Sequence, residues 1–225
     1  MFVVIERSRS GAATSGRLLA AGPRSRVAEV AHSPIAAEIV GVELRPGAAR
    51  LALGSSASEL RDRECSLEDV WGRKARTLLD QLVEAPDAGT RLRILVDVLS
   101  ERVTRANESG STRAAMHVLQ ASGGCLSTQA LADRLGTSTR SIHRLFIDEV
   151  GLAPKRCARV LRLRRLFVGR WPDGATAAAD LGYSDQAHLI DDFRELMGST
   201  PGRFFSGEDY VDATLGLGWL VTPRA

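Results

Sequence analysis

The sequence predicts an α+β fold, mostly α. A small β-rich N-terminal part is followed by two helices, then by an all-α domain with two helix-turn-helix units bridged by a long helix. Three observations predict it. Residues 1–65 carry short apolar runs and turn signals and read as β and loop. From residue 66 onward apolar residues recur at helical spacing. One pattern also occurs twice, about 45 residues apart at Ser138 and Ser184: a short helix, a glycine, a capped helix with an apolar back, and a glycine.

The 225 residues allow one large domain or two small ones, with length enough to bury a core. The net charge is only +3, so total charge implies no general affinity for polyanions. The three cysteines, Cys65, Cys125 and Cys157, are far apart and without metal spacing. They fit a reducing cytoplasm, with the thiols as small hydrophobes. No run of about 18 apolar residues is present for a membrane span, and Glu6 and Arg7 cut the apolar start short of a secretory segment.

Residues 1–104 read as a partial sensor- or dimerisation-like region, with strands to about residue 65 and a helical pair over 66–104. Phe2–Ile5 is a short apolar run. Ile35–Leu44 alternates loosely and ends at the turn signal Arg45-Pro46-Gly47. Gly11–Arg26 has weak periodicity, and the region is too short for a closed barrel or full sandwich. Ser66 can cap a helix whose apolar side is Val70, Trp71, Leu78, Leu79 and Leu82. Ala85-Pro86-Asp87 breaks it. Leu92, Leu95, Val96, Leu99 and Val103 then form an amphipathic stripe expected to pack within the chain.

Arg105–Ser111 is polar and reads as a linker. A short helix over Thr112–Gln120 opens the domain 112–206, and 207–225 is a tail. In Leu126–Phe146, Ser127 is placed as an N-cap, Gly136 ends the first helix, and Ser138 caps the second. Ile142, Leu145 and Phe146 turn that second helix inward. Thr139, Arg140, His143 and Arg144 are left on its front, a set of donors able to reach phosphates and base edges in a major groove. Gly151 closes it.

Pro154 starts a longer helix to about Val168, with Cys157, Val160, Leu161, Leu166 and Phe167 apolar and arginines over the rest. No acidic residue stands between Glu149 and Asp173, where Lys155, Arg156, Arg159, Arg162, Arg164, Arg165 and Arg170 lie. The second hairpin runs from Ala175 to Met197. It has Gly182-Tyr183 as its turn, Ser184 as N-cap, Leu189 and Phe193 inward, and Gln186, Ala187 and His188 exposed. Two such helices about 34 Å apart would enter successive major grooves on one face of a duplex.

These residues resemble the DNA-binding domain of AraC/XylS-type transcription regulators. The likeness rests on Leu126-Ser127, Leu131-Ala132, Gly136, Ser138, Arg144, Phe146, Gly151-Leu152-Ala153-Pro154 and Arg162. It continues in Gly182 through Leu189, Phe193-Arg194 and Gly198-Ser199-Thr200-Pro201. The resemblance implies seven helices and base contacts from the early exposed positions of both recognition helices. By matching position these are Arg140, His143 and Arg144 in the first, and Gln186, Ala187 and His188 in the second. Arg pairs with guanine and Gln with adenine. Thr139 and Arg194 are phosphate candidates.

Two departures stand out. Gly174-Ala-Thr-Ala-Ala-Ala offers less apolar area than the large aliphatic residues usual there, and Asp191 stands where a basic residue is common. Both point to a second unit that contributes less affinity than the first, or tolerates more operator variation. Residues ~18–104 resemble more loosely the cupin-like sensor half of one subgroup, through Gly41–Gly47 and Leu67–Gly72, and read as N-terminally short.

The resemblance implies a cytoplasmic, sequence-specific transcription regulator, not an enzyme. Its partners are double-stranded promoter DNA and RNA polymerase, and activation is commoner than repression in the family. A homodimer and a small-molecule effector stay open, and no cofactor, metal or membrane partner is expected. One alternative is a degenerate regulator acting through protein contacts. Another is a DNA-repair or response protein fused to such a module. It would need a reactive cysteine, whereas Cys157 falls on an apolar helix face; His32, His117, His143 and His188 lack ligand spacing.

Overall fold

The computed structural model describes residues 2–7, 13–25, 37–104 and 110–206. The strands β1 (Phe2–Arg7), β2 (Ala13–Ala21), β3 (Ala37–Gly41) and β4 (Glu64–Ser66) form one antiparallel sheet in the order β3-β1-β2-β4. It is an open sheet, with no closed barrel among the described residues. β2 lies inside the stretch whose periodicity was too weak to predict a strand. Two short helices, α1 (Ala49–Leu53) and α2 (Ala57–Leu60), also stand where only strand and loop were expected. Four or five residues are too few to display a 3.6-residue period. The Ser56–Glu59 pair is nevertheless a complete capping box.

The first expected helix is two. α3 (Leu67–Trp71) ends at Gly72, whose φ of 58° no helix accommodates, and α4 (Arg73–Glu84) starts anew. Ser66 does cap α3, through the Glu68 N–H. α5 (Ala88–Thr104) follows the expected break. Leu18, Ala20 and Val40 from the sheet share a core with Leu78, Leu82, Leu95 and Leu99 from α4 and α5.

The expected α5 stripe is rotated. Leu95 and Leu99 are buried, but Leu92 and Val96 are 42% and 41% exposed, and Arg91 is buried at 2%. Its guanidinium donates to the carbonyls of Leu82 (2.9 Å) and Ala85 (2.5 Å) and to Glu38 on β3 (2.8 Å). One cation thus closes the C-terminal end of α4, where a positive charge is favoured, and ties it to the sheet edge.

α6 (Gly110–Ala121) starts two residues before the helix expected over Thr112–Gln120. Most of the expected linker, and the tail 207–225, lie outside the described residues. α7 (Thr128–Arg134) and α8 (Thr139–Leu145) make the first unit. The second helix of that unit runs on as a π-helical turn, Phe146–Val150. The bridging helix is α9 (Pro154–Val168). The second unit is α10 (Gly174–Asp180) and α11 (Gln186–Met197), closed by α12 (Pro201–Phe205). The chain is therefore α+β and mostly α.

α9 belongs to two cores at once. Cys157, Ala158 and Leu161 pack with Leu119, Leu131, Ile142 and Phe146 of the first unit. Val160, Leu163 and Leu166 pack with Leu181, Leu189 and Phe193 of the second. The N-terminal region sits directly on the first unit. The Gly47 N–H donates to the Glu149 carbonyl at 3.0 Å, which gives a partner to one of the π turn's end carbonyls. Gly151, at φ 78°, lies so close to Pro23 and the Ala57 carbonyl that a Cβ there would meet them at 2.4 and 2.6 Å. That glycine serves both the left-handed helix end and the module contact.

Candidate nucleic-acid interface

In the first unit the cap geometry aims the front of α8 outward. Ser127 accepts from the Ala130 N–H and Ser138 from the Ser141 N–H, both at 3.1 Å. Ile142 and Phe146 are buried, so Thr139, Arg140, His143 and Arg144 are left exposed on one face. The four line a single open groove together with Thr128, Ile147 and Asp148. All four expected residues are thus brought together, and an apolar back holds them.

In the second unit the N-cap differs from the expected one. Asp185, not Ser184, accepts from the His188 N–H, at 2.7 Å, and the helix starts at Gln186. Ser and Asp cap equally well, so adjacent candidates cannot be ranked from composition. The cap bond pulls the Asp185 carboxyl below its ordinary pKa. Ser184 instead lies 3.1 Å from His188 Nδ1, and the His188 ring meets the Tyr183 ring edge-on at 5.2 Å. Gln186, Ala187 and His188 are exposed as expected.

The departures noted in the sequence have structural counterparts. Gly174 lies under the Gln186 side chain, and a Cβ there would come within 2.6 Å of Gln186 Nε2. Asp191 pairs with Arg194 at 3.2 Å. The carboxylate that stands where a basic residue is common therefore also engages the nearby phosphate candidate.

Several of the arginines expected over the remaining surface of α9 are engaged within the chain. The side chains of Arg156, Arg159 and Arg162 are each only 15% exposed. Arg159 donates through Nε to Asp192 at 2.5 Å, and through Nη1 and Nη2 to Glu195 at 3.1 and 2.5 Å. Arg162 stacks over the Tyr183 ring at 4.7 Å, and Tyr183 Oη donates to Asp192 at 3.0 Å. Arg165 donates to the Asp180 carbonyl at 3.2 Å. Hydrogen bonds from Arg159 are the main cause that lowers the Glu195 carboxyl to about 2.

This polar network escaped sequence reasoning, although a signal for it exists. Asp192 falls in the inward series Leu189, Asp192, Phe193, Leu196, and a carboxylate on an apolar face demands a partner. Arg159 and Arg162 stand three apart on the facing helix.

Cys157 is buried, and burial pushes its thiol up to about 12, which suppresses the thiolate needed for nucleophilic chemistry. Among the described residues, no cluster of three or more metal-ligating side chains occurs, and no helix is long and apolar enough to cross a membrane.

Residues 131–207 match the family described as "Helix-turn-helix domain". The chain is also similar to the HTH-type transcriptional activator RhaS of Escherichia fergusonii, 33% identical over 87 residues. The match covers 37% of this chain and 31% of that protein. The C-terminal part of the chain carries a helix-turn-helix domain. The matched residues include α8, the bridging α9 and α11. The chain matches about a third of the curated relative's length. No solved structure matches the chain at comparable stringency.

Proposed function

We propose that the chain is a sequence-specific DNA-binding transcription regulator that uses α8, and more weakly α11, as recognition helices in the major groove of promoter DNA. The observation that carries this reading is the groove of α8. Two arginines, a histidine and a threonine converge there on a face fixed from behind by Ile142 and Phe146. Arg140 and Arg144 would pair with guanine edges, and Thr139 and His143 with phosphate or base. Gln186 and His188 are the base-reading candidates of the second helix, with Ala187 offering a methyl contact and Arg194 a phosphate contact. RNA polymerase is the partner such a bound regulator would meet at a promoter.

The two units contribute unequally in this reading. From 169 to 206 there are six acidic and three basic residues, and Asp191 engages Arg194. Phosphate attraction therefore comes mainly from the first unit.

The test is Arg144→Ala, which should weaken binding to a selected DNA site by about 1–3 kcal/mol and relax specificity at one position, with the circular dichroism spectrum preserved. Unchanged affinity would remove Arg144 from the reading set. The second reading, a regulator acting mainly by protein contacts, draws on the acidic balance of the second unit. It would be favoured by binding without a footprint.

A further inference from the structure

Two cores meet on α9, but apolar packing alone is poorly directional. It holds α11 against α9 without choosing between neighbouring angles and registers. Polar contacts are directional, and those between α9 and α11 gather on two residues of α11, the buried Asp192 and the half-exposed Glu195. Asp192 is buried at 5% exposure on the inner face of α11. Its Oδ1 accepts from Arg159 Nε at 2.5 Å. Its Oδ2 accepts from Tyr183 Oη at 3.0 Å and lies 3.9 Å from Arg162 Nη2.

The Arg159 fork also grips Glu195, one helical turn further along α11, through two nitrogens. One planar guanidinium thus spans two successive turns of the facing helix, so sliding or rotating α11 breaks several charge-assisted bonds together. Arg162 is held in the same arrangement by the Tyr183 ring, and Tyr183 belongs to the turn that leads into α11. The buried Arg162 Nε has no hydrogen-bond partner, so that side chain is placed here without full satisfaction. None of these groups faces the groove of α8.

We propose that Asp192 and Arg159 are positioning residues: they fix the angle and register of α11 against α9, and thereby the spacing between the two DNA elements the chain accepts. The spacing half of this statement rests on the reading that both helices enter DNA; the positioning half does not. Buried ion pairs contribute little net stability against apolar replacements, so what this pair adds is direction rather than energy.

The test uses the full chain and two readouts. Spin labels are placed at Ser141→Cys on α8 and Ala187→Cys on α11, with Cys65 and Cys125 changed to serine. The distance distribution between the labels is measured without DNA, in the parent and in Asp192→Asn, Arg159→Lys and Tyr183→Phe backgrounds. The last two guard against a variant that fails to fold. A narrow parental distribution that broadens or shifts in the folded variants is the expected result. An unchanged distribution overturns the proposal.

The unlabelled proteins are then titrated with duplexes whose two elements are separated by the optimal spacer, or by one base pair more or less. The parent should discriminate by about tenfold. The variants should lose most of that discrimination, yet bind a duplex carrying only the first element as tightly as the parent. A preserved spacing preference in folded variants overturns the spacing claim. A parent with no spacing preference, alongside broadened labels, overturns the two-helix reading and leaves the positioning role standing.

Discussion

The Arg156 guanidinium donates to the backbone carbonyl of Ser25 through Nε, at 2.9 Å, and also through Nη2, although 131 residues separate the two in sequence. Its remaining nitrogen donates to Glu195 of α11 at 2.5 Å. One side chain on the bridging helix therefore contacts the N-terminal region and the second unit at once. Asp62 completes the joint from the other side, accepting from the Ser25 N–H at 2.6 Å and from its hydroxyl at 2.9 Å.

Arg156→Ala should loosen that joint. The expected cost is about 1–3 kcal/mol, the range for losing hydrogen bonds to a charged group. Thermal unfolding followed by calorimetry should separate into two transitions, or one at a clearly lower midpoint. A single transition at the parental temperature would show that Gly47, Gly151 and their neighbours hold the regions together unaided.

Arg91 makes a sharper stability prediction. Arg91→Leu keeps an apolar stem but leaves the carbonyls of Leu82 and Ala85 and the Glu38 carboxylate without their donor. The loss should be about 2–4 kcal/mol, because the groups left behind are buried or half-buried. Urea unfolding measures it. A loss below about 1 kcal/mol would mean that water replaces the guanidinium at little cost.

Glu195 gives a pH dependence with a definite sign. Its carboxyl is lowered to about 2 from an ordinary value near 4.5, chiefly by hydrogen bonds from Arg159. A depressed acid stabilises the folded chain above its unfolded pKa and loses that contribution as pH falls through the folded one. Stability should therefore decline between about pH 4.5 and 2. Glu195→Gln should flatten that part of the decline while lowering stability at neutral pH. Parallel profiles for parent and variant, from urea midpoints at each pH, would contradict the assignment.

Gly174→Ala tests the contact at the start of the second unit. Alanine removes the entropic cost of a helical glycine, worth up to about 1 kcal/mol. The new Cβ would displace only the mobile end of Gln186. Equal or slightly raised stability is expected, with altered base preference in the element read by α11. A marked destabilisation would show that the Gln186 packing matters to the fold.

How far the sequence was legible depended on which signals are local. Ser127, Ser138, Gly136, Gly151 and Pro154 act within one turn of chain, and each stands where its chemistry places it. The groove residues Thr139, Arg140, His143 and Arg144 followed directly, since a buried Ile142 and Phe146 leave them only one face. Gln186, Ala187 and His188 are equally exposed, though one cap was assigned a residue too early. What escaped was set by distant partners. Arg91 takes an inward position because Glu38 and two α4 carbonyls wait for it, so the stripe through Leu92 and Val96 turned outward. The α9 arginines read as a basic surface because nothing local shows Asp192 and Glu195 opposite them. The helices Ala49–Leu53 and Ala57–Leu60 were too short to carry a period at all.

The proposed function has α8 and α11 reading one DNA sequence together. The most direct measurement is an in vitro selection of genomic fragments bound by the purified chain, repeated at two salt concentrations. An enriched motif of two elements about one helical turn apart, retained at the higher salt, is expected. The absence of enrichment, with all binding lost at moderate salt, would contradict it.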